Sequence, residues 1–378
     1  MKSSSARTPA DSHVPQSEIR NPKLEIRNQH LPPLLALFQK RIEGDDALLR
    51  LAQRRFREGG LGTEFYAESR AELEWLMGFR PGAERPVVVH LKRELDILLE
   101  DGRELVYDFA ATFNSKLRGL VIHDQPELAT QPDQYRAALR AIGSRLEQVP
   151  NSPLLFLEYA AGLEPALFVE TLQAVRDVQR LSGCLDVGHL GLWQVRTAYA
   201  KLHPGSDGCR LTPEAPELPG VIDDLQGAVE TALPLVLEVI RAVGALGKPL
   251  HFHLHDGHPL WPESPFGVSD HLSFLGEIPV PFEYAGRCAL PLMFGLSGLA
   301  ALVTTALEVA GSERVSFSLE IHPTEGTLPL GQASPLFLHW LDKGNAERMN
   351  CWLSVLLHNH QLVKAACLQL PTALPQHR

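Results

Sequence analysis

Six strand-length apolar runs, each carrying a histidine or carboxylate at its C-terminal end, constrain this chain more than any other feature. They occupy residues 86–91, 119–124, 154–159, 182–189, 249–256 and 315–322. Each is bounded by Pro, Gly or a polar residue, and several are apolar on both faces of the pleat, as in a parallel sheet covered by helices. The closing residues His90, His123, Glu158 and Asp186 follow one another at roughly 30-residue intervals, the length of one βα unit. The next two steps, to His253 and to Glu320, are about twice as long. They predict long βα connections over 200–220 and 257–295, both rich in Gly and Pro.

Helical periodicity fills the gaps, over 133–146, 165–181, 221–246, 296–310 and 346–363. Strand–helix alternation of this kind predicts an α/β chain built from parallel βα units. A TIM (β/α)8 barrel is the expected fold, with long βα loops after strands 6 and 7 and an irregular or missing first strand. Residues 62–66 supply a further strand, and 23–27 are the one place proposed for the first. An open doubly wound sheet is the competing arrangement, but no GxGxxG follows an early strand. Residues 1–30 are rich in Ser, Pro, Asn and charge and repeat the tetrapeptide EIRN, so a disordered tail is expected there. The barrel is expected over 31–335, and a helical extension packing on it over 336–378.

Acidic residues outnumber basic ones 45 to 35, a net charge of −10. That argues against a general binder of nucleic acid or membrane surfaces, both of which are anionic. The 5 cysteines are scattered with no CxxC pair, so neither a disulfide framework nor a zinc ribbon is expected. No apolar run reaches the ~18 residues of a membrane span, and the first residues lack the hydrophobic core of a leader, so a cytoplasmic location is expected.

Most of the 16 histidines fall in these runs or just after them. His251, His253 and His255 alternate and therefore share one face of their strand. Glu320 and His322 share a face with Ser316 and Ser318, and Asp186 and His189 form a D-V-G-H motif. Histidine and carboxylate converging on one barrel mouth suit a divalent metal, Mn, Zn or Mg. A buried, unpaired carboxylate costs several kcal/mol, so Glu158 and Glu320 after apolar runs call for a cation or a strong partner. Taken singly, His90 or His123 fits a hydrogen-bonded core histidine equally well. Spacing leaves open which of the three alternating histidines is a ligand. His189, His255, Asp256, Trp193 and Trp261 are the expected substrate contacts, with Phe266 and Phe274 in the apolar cover.

The order of these motifs resembles the xylose isomerase-like TIM-barrel superfamily: Glu on one strand, D-x-x-H on the next, H-x-x-D on the next, then Glu in L-E-I. That superfamily contains sugar and sugar-phosphate isomerases and epimerases and the endonuclease IV-type apurinic endonucleases (AP endonuclease family 2). The resemblance covers about residues 60–325, by motif order. It implies Glu158, Asp186, His253 and Glu320 as ligands of a common metal. In the epimerases it further implies Glu158 and Glu320 as the catalytic proton carriers. The endonuclease branch implies additional ligands at His90, His123, His189 and His271. Around His271 the sequence S-D-H departs from that branch's D-x-H, with Ser269 in the aspartate's place and Asp270 one position off.

Three functions follow as expectations. The first is a metal-dependent isomerase or epimerase of a small polyhydroxy or sugar-phosphate substrate, with base and acid on opposite faces of one carbon. The second is a zinc-dependent phosphoester hydrolase holding two or three metals. The third is a barrel that binds a metabolite without turning it over. A small molecule is the expected partner, nucleic acid and membrane are disfavoured, and self-association is compatible with the chain.

Overall fold

A computed structural model describes residues 31–37, 46–80, 82, 84–212, 215–260, 271–275, 277–279, 289–321 and 346–368. Eight parallel strands close into a barrel in chain order. They are β1 (Leu34–Leu37), β2 (Gly62–Ala67), β3 (Val87–Leu91), β4 (Gly119–His123), β5 (Leu154–Glu158), β6 (Leu181–Asp186), β7 (Leu250–Leu254) and, after a small antiparallel pair β8 (Glu277–Pro279) and β9 (Ala289–Pro291), β10 (Val315–Leu319). The barrel closes where β1 pairs with β2 through Leu35↔Gly62 and with β10 through Leu35↔Ser318. The α/β barrel reading therefore holds, with one correction. The first strand is neither missing nor at 23–27, which lies outside the described residues. It is the four-residue run directly after Pro32 and Pro33.

Strand alternation sorts the residues into two cores. Outward side chains such as Val87, Val89, Ile122, Leu157 and Phe252 pack under the helices. Inward ones form a small apolar plug of Leu35, Val88, Val121, Phe156 and Cys184 inside the barrel. Phe156 fills this interior by lying over Gly119, where an added Cβ would come within 2.3 Å of its ring. Above the plug the inward positions turn polar: Glu64, His90, Glu158, Asp186, His251 and His253 are all buried. The plug is a floor, and the ionisable layer rests on it.

The helices are α1 (Asp46–Gly59), α2 (Arg70–Leu76), α3 (Glu100–Thr112), α4 (Glu127–Thr130), α5 (Pro132–Glu147), α6 (Pro165–Ala174), α7 (Val187–Leu202), α8 (Leu218–Val229), α9 (Ala232–Gly244), α10 (Gly295–Ala310) and α11 (Ala346–Leu368). Proline opens α5 and α6 at a position where its missing N–H goes unneeded. Two expected spans change. The helix from Pro165 stops at Ala174, because Leu181 already belongs to β6. The single helix over 221–246 is two, α8 and α9, parted at Glu230 and Thr231. Pro234 lacks an N–H and is tolerated only in a first turn, so a new helix has to begin just before it. Thr231 Oγ1 donates to the Ala228 carbonyl at 2.7 Å and takes a bond from Gln194 at the break. The long step after β6 is thus mostly helical, built from α7, α8 and α9. Helix α11 lies against α1 and α10, and its buried Asn359 accepts a bond from Phe274 N at 3.2 Å. Among the described residues no helix is long and apolar enough to cross a membrane.

Candidate metal centre

Parallel strands in a barrel present their C-terminal ends on one face, and the polar run-closing residues meet there. Glu158 ends β5, Asp186 ends β6 and Glu320 follows β10 by one residue. His90 and His123 come from β3 and β4, and His253 comes from β7. Single ligand atoms of Glu158, Asp186, His253 and Glu320 lie within 4.8 Å of one another, as do those of His90, Glu158 and His253. A further group on the same face joins Asp186, His189, His255 and His271.

Glu158 stands at the centre. Its Oε2 lies 2.9 Å from His90 Nε2 and 3.3 Å from His123 Nε2. Its Oε1 lies 3.0 Å from His253 Nδ1, which is also 3.1 Å from Glu320 Oε2. The ring nitrogens of His90 and His123 face each other at 3.1 Å. Asp186 joins the second group, with Oδ1 2.8 Å from His255 Nε2 and Oδ2 3.3 Å from His189 Nδ1. Its Oδ1 also accepts the His189 backbone N–H at 2.8 Å, so it caps α7 at the same time.

Proton accounting tests whether these residues fit a metal. His90 Nδ1 donates to the Leu91 carbonyl at 2.8 Å, and His255 Nδ1 donates to the Asp256 carbonyl at 3.0 Å. A neutral imidazole has one N–H. In each ring the other nitrogen then turns a lone pair toward a carboxylate oxygen under 3 Å away. His253 has the same problem between Glu64 on one side and Glu158 with Glu320 on the other. Such contacts require either a second proton on each ring or a cation between lone pair and carboxylate. Asp186 Oδ2 and both ring nitrogens of His189 are buried without any hydrogen-bond partner. The donor set fits divalent metal ions.

The electrostatics carry the same demand for positive charge. Burial works against the charge on Glu158, yet His253, His123 and His90 hold its carboxyl well below the usual range. Burial likewise opposes charge on Asp186, and His189 and His255 bring its carboxyl below the ordinary value. Burial lowers His253, but Cys184, Glu64 and Glu158 together raise it well above an ordinary histidine.

Every residue expected as a ligand reaches this face: Glu158, Asp186, His253 and Glu320, and also His90, His123, His189 and His271. Two expected substrate contacts are corrected. The Asp256 carboxylate is fully buried and accepts backbone N–H bonds from Gly257, Phe294 and Gly295 at 2.7–3.1 Å, so it ties loop to loop. His255 is fully buried among the donors and shows no surface to a substrate. His189 and Trp193 line a cavity of about 480 Å³ beside the mouth, together with Arg196 and Asp207. Trp261, Phe266, Ser269, Asp270 and His322 lie outside the described residues. Phe274 is buried.

Sequence reasoning missed Glu64. It is fully buried on β2 and accepts from His251 Nε2 and His253 Nε2, each at 3.0 Å. Burial alone would raise its carboxyl, but the two histidines pull it well below its usual value. The pair of bonds fixes His253 with Nδ1 toward the mouth. His251 is spent below it, on Glu64 and on Ser316 Oγ at 2.8 Å. Gly188 was also passed over. A Cβ there would lie 1.9 Å from His255 Cε1, so only glycine lets that ring reach Asp186.

No protein-family model matches the chain, and no curated protein matches it. Several solved structures do. A xylose isomerase-like TIM barrel protein from Mycobacterium smegmatis, solved in complex with magnesium, is 13% identical, with 87% of this chain and 98% of that one covered and a TM-score of 0.43. An endo-β-1,4-mannanase from Thermotoga petrophila is 6% identical, with 89% and 77% covered and a TM-score of 0.45. A spore coat polysaccharide biosynthesis protein from Bacillus subtilis is 9% identical, with 92% and 75% covered and a TM-score of 0.40. The resemblance to xylose isomerase-like TIM barrels stands at the level of the fold.

Proposed function

We propose that this chain is a divalent-metal-dependent phosphoester hydrolase that holds at least two ions at the barrel mouth. One observation carries the reading: the two oxygens of Glu158 serve different donors, His90 and His123 on one side and His253 on the other. A carboxylate placed in this way could help to hold two ions. It keeps no oxygen spare to act as base on a carbon acid. His90, His123 and Glu158 would hold one ion, and Glu158, Asp186, His253 and Glu320 a second. Asp186, His189, His255 and His271 offer the donors for a third. The predominance of imidazole favours zinc or manganese over magnesium. Bound there, such ions supply a water that ionises near neutral pH and a seat for phosphoryl oxygens.

The chain's own residues divide the remaining work. Glu320 is the most accessible carboxylate of the central group, with 14% of its side chain exposed, so it would hold its ion on the substrate side. Glu64 keeps His253 in place from below. The cavity beside His189 accommodates the rest of the substrate between Trp193 and Arg196. Arg196 is held by Asp207, and the chain carries net charge −10, so a small phosphoester suits it better than a nucleic acid. The test is hydrolysis of p-nitrophenyl phosphate and bis(p-nitrophenyl) phosphate by the full chain loaded with Zn or Mn. Turnover should fall by at least about 100-fold in Glu158→Gln and His123→Ala.

An isomerase or epimerase of a polyhydroxy or sugar-phosphate substrate is the second reading. The observation favouring it is that Glu158 and Glu320 approach one nitrogen of His253 from different strands, at 3.0 and 3.1 Å. Two carboxylates about one point are what proton transfer on two faces of a carbon requires. Its signature is solvent deuterium entering a sugar phosphate with no release of phosphate.

A further inference from the structure

The opposite end of the barrel holds a second cavity, of about 700 Å³, lined where β1–β4 begin. Its wall includes Arg85, Lys116 and Arg118 from the loops before β3 and β4, and His360 and Lys364 from α11. Among the described residues Glu84 is the one carboxylate in that lining, and it is mostly exposed, 3.7 Å from Arg85 Nε. Four permanent cations therefore share one concavity with one acid, on a molecule of net charge −10.

Their hydrogen bonding leaves capacity unused. Arg85 Nη1 donates to the Gly60 carbonyl at 3.1 Å, and Arg118 Nη2 donates to the Glu313 carbonyl at 3.2 Å. The Nε atoms of both arginines and Nδ1 of His360 are buried without a hydrogen-bond partner. Lys116 rests its ammonium 5.8 Å from the Phe113 ring and meets no carboxylate among the described residues. Burial, then the charges of Lys364 and Arg85, push the His360 pKa down to about 4. Four like charges gathered beside a single counter-charge repel one another. Guanidinium forks beside ammonium groups match the oxygens of a phosphate. The volume is that of a small-molecule site.

We propose that this basal cavity is a binding site for a small phosphate-bearing anion, separate from the metal centre at the other end of the barrel. Both arginines are held at one nitrogen by a backbone carbonyl, which sets their forks before the ligand arrives. The two lysines and His360 close the rim from the β3–β4 side and from α11.

Pyrophosphate titrated calorimetrically into the full metal-loaded chain, at matched ionic strength, tests the site. The comparison is with Lys116→Glu/Lys364→Glu and with Lys116→Arg/Lys364→Arg, each checked for wild-type metal content and melting temperature. The charge reversal should weaken one binding step by at least about tenfold, and the arginine pair should restore it. Lys116→Glu alone, at an exposed position, serves if the double variant does not fold, and should weaken the same step. The proposal is overturned if pyrophosphate does not bind at millimolar concentration. It is equally overturned if every binding step survives charge reversal and disappears only with substitutions at Glu158 or His123.

Discussion

At the scale of single residues, the candidate centre rests on groups outside its own donor set. Glu64 accepts an N–H from each of two histidines, and a glutamine there could accept only one while turning an amide N–H toward the other. Glu64→Gln should therefore lower metal affinity by about 10–100-fold, measured by competition with a chromogenic chelator, with the far-UV spectrum unchanged. Unaltered affinity would mean His253 needs no support from below. Gly188→Ala presses a methyl group against His255. It should cost about 1–3 kcal/mol in urea unfolding and reduce the ions bound per chain, because Asp186, His189 and His271 lose their fourth donor. The same scale shows why some residues were legible and others not. His251, His253 and His255 are legible by alternation, which puts all three on one face of their strand. Asp256 was misjudged although the same alternation turns it away from the barrel. Glu64 was unreadable because a single acid in a short strand carries no sign of what it faces across the barrel.

At the scale of elements, α7 begins on a residue with two duties. Asp186 caps the helix and also stands in both donor groups. Asn caps as well as Asp, whereas Ala does not. Asp186→Asn and Asp186→Ala should both lose metal, but in metal-free protein the Ala variant should be less stable than the Asn variant by about 1 kcal/mol. Equal stabilities would show that the cap is immaterial. Between α8 and the loop after β7, His258 is held neutral. Its Nδ1 accepts from Leu260 N at 3.1 Å, so its one proton sits on Nε2, 2.9 Å from the Gln226 side-chain amide, whose oxygen can accept it. Burial pushes its pKa down to about 3. The folded state thus binds fewer protons than the unfolded state from pH ~6.5 down to 3. The contribution is complete above ~6.5 and disappears as pH falls through that window, with a slope of up to about 1.4 kcal/mol per pH unit. His258→Asn, which keeps an acceptor for Leu260, should flatten the acid side of a stability–pH curve, and an unchanged slope would refute the assignment. Elements were legible where apolar period and breakers agreed, as for β5 and α5. The first strand was missed because four residues behind two prolines leave almost no pattern. The break before α9 is hidden because the apolar period continues on both sides of Pro234.

At the scale of the whole molecule, the barrel is an apolar floor carrying a layer of buried acids and histidines that opposes its own burial. Motif order along the chain made the mouth legible, because each βα unit brings the end of its strand to the same rim. The way Glu158 divides its oxygens was beyond reach, since that depends on the register of β3, β4, β5 and β7 across the interior. Chelation should leave several histidines to be protonated beside the acids, and so should lower the melting temperature. An excess of about 100 times the dissociation constant should restore ~2.7 kcal/mol per independent site. The most direct test of the multi-ion centre is elemental analysis of the full chain, purified without chelator and reconstituted with Zn or Mn. Two or three ions per chain, falling in His123→Ala while at least one remains, is the predicted result. One ion at most, unaffected by His123→Ala, would contradict it.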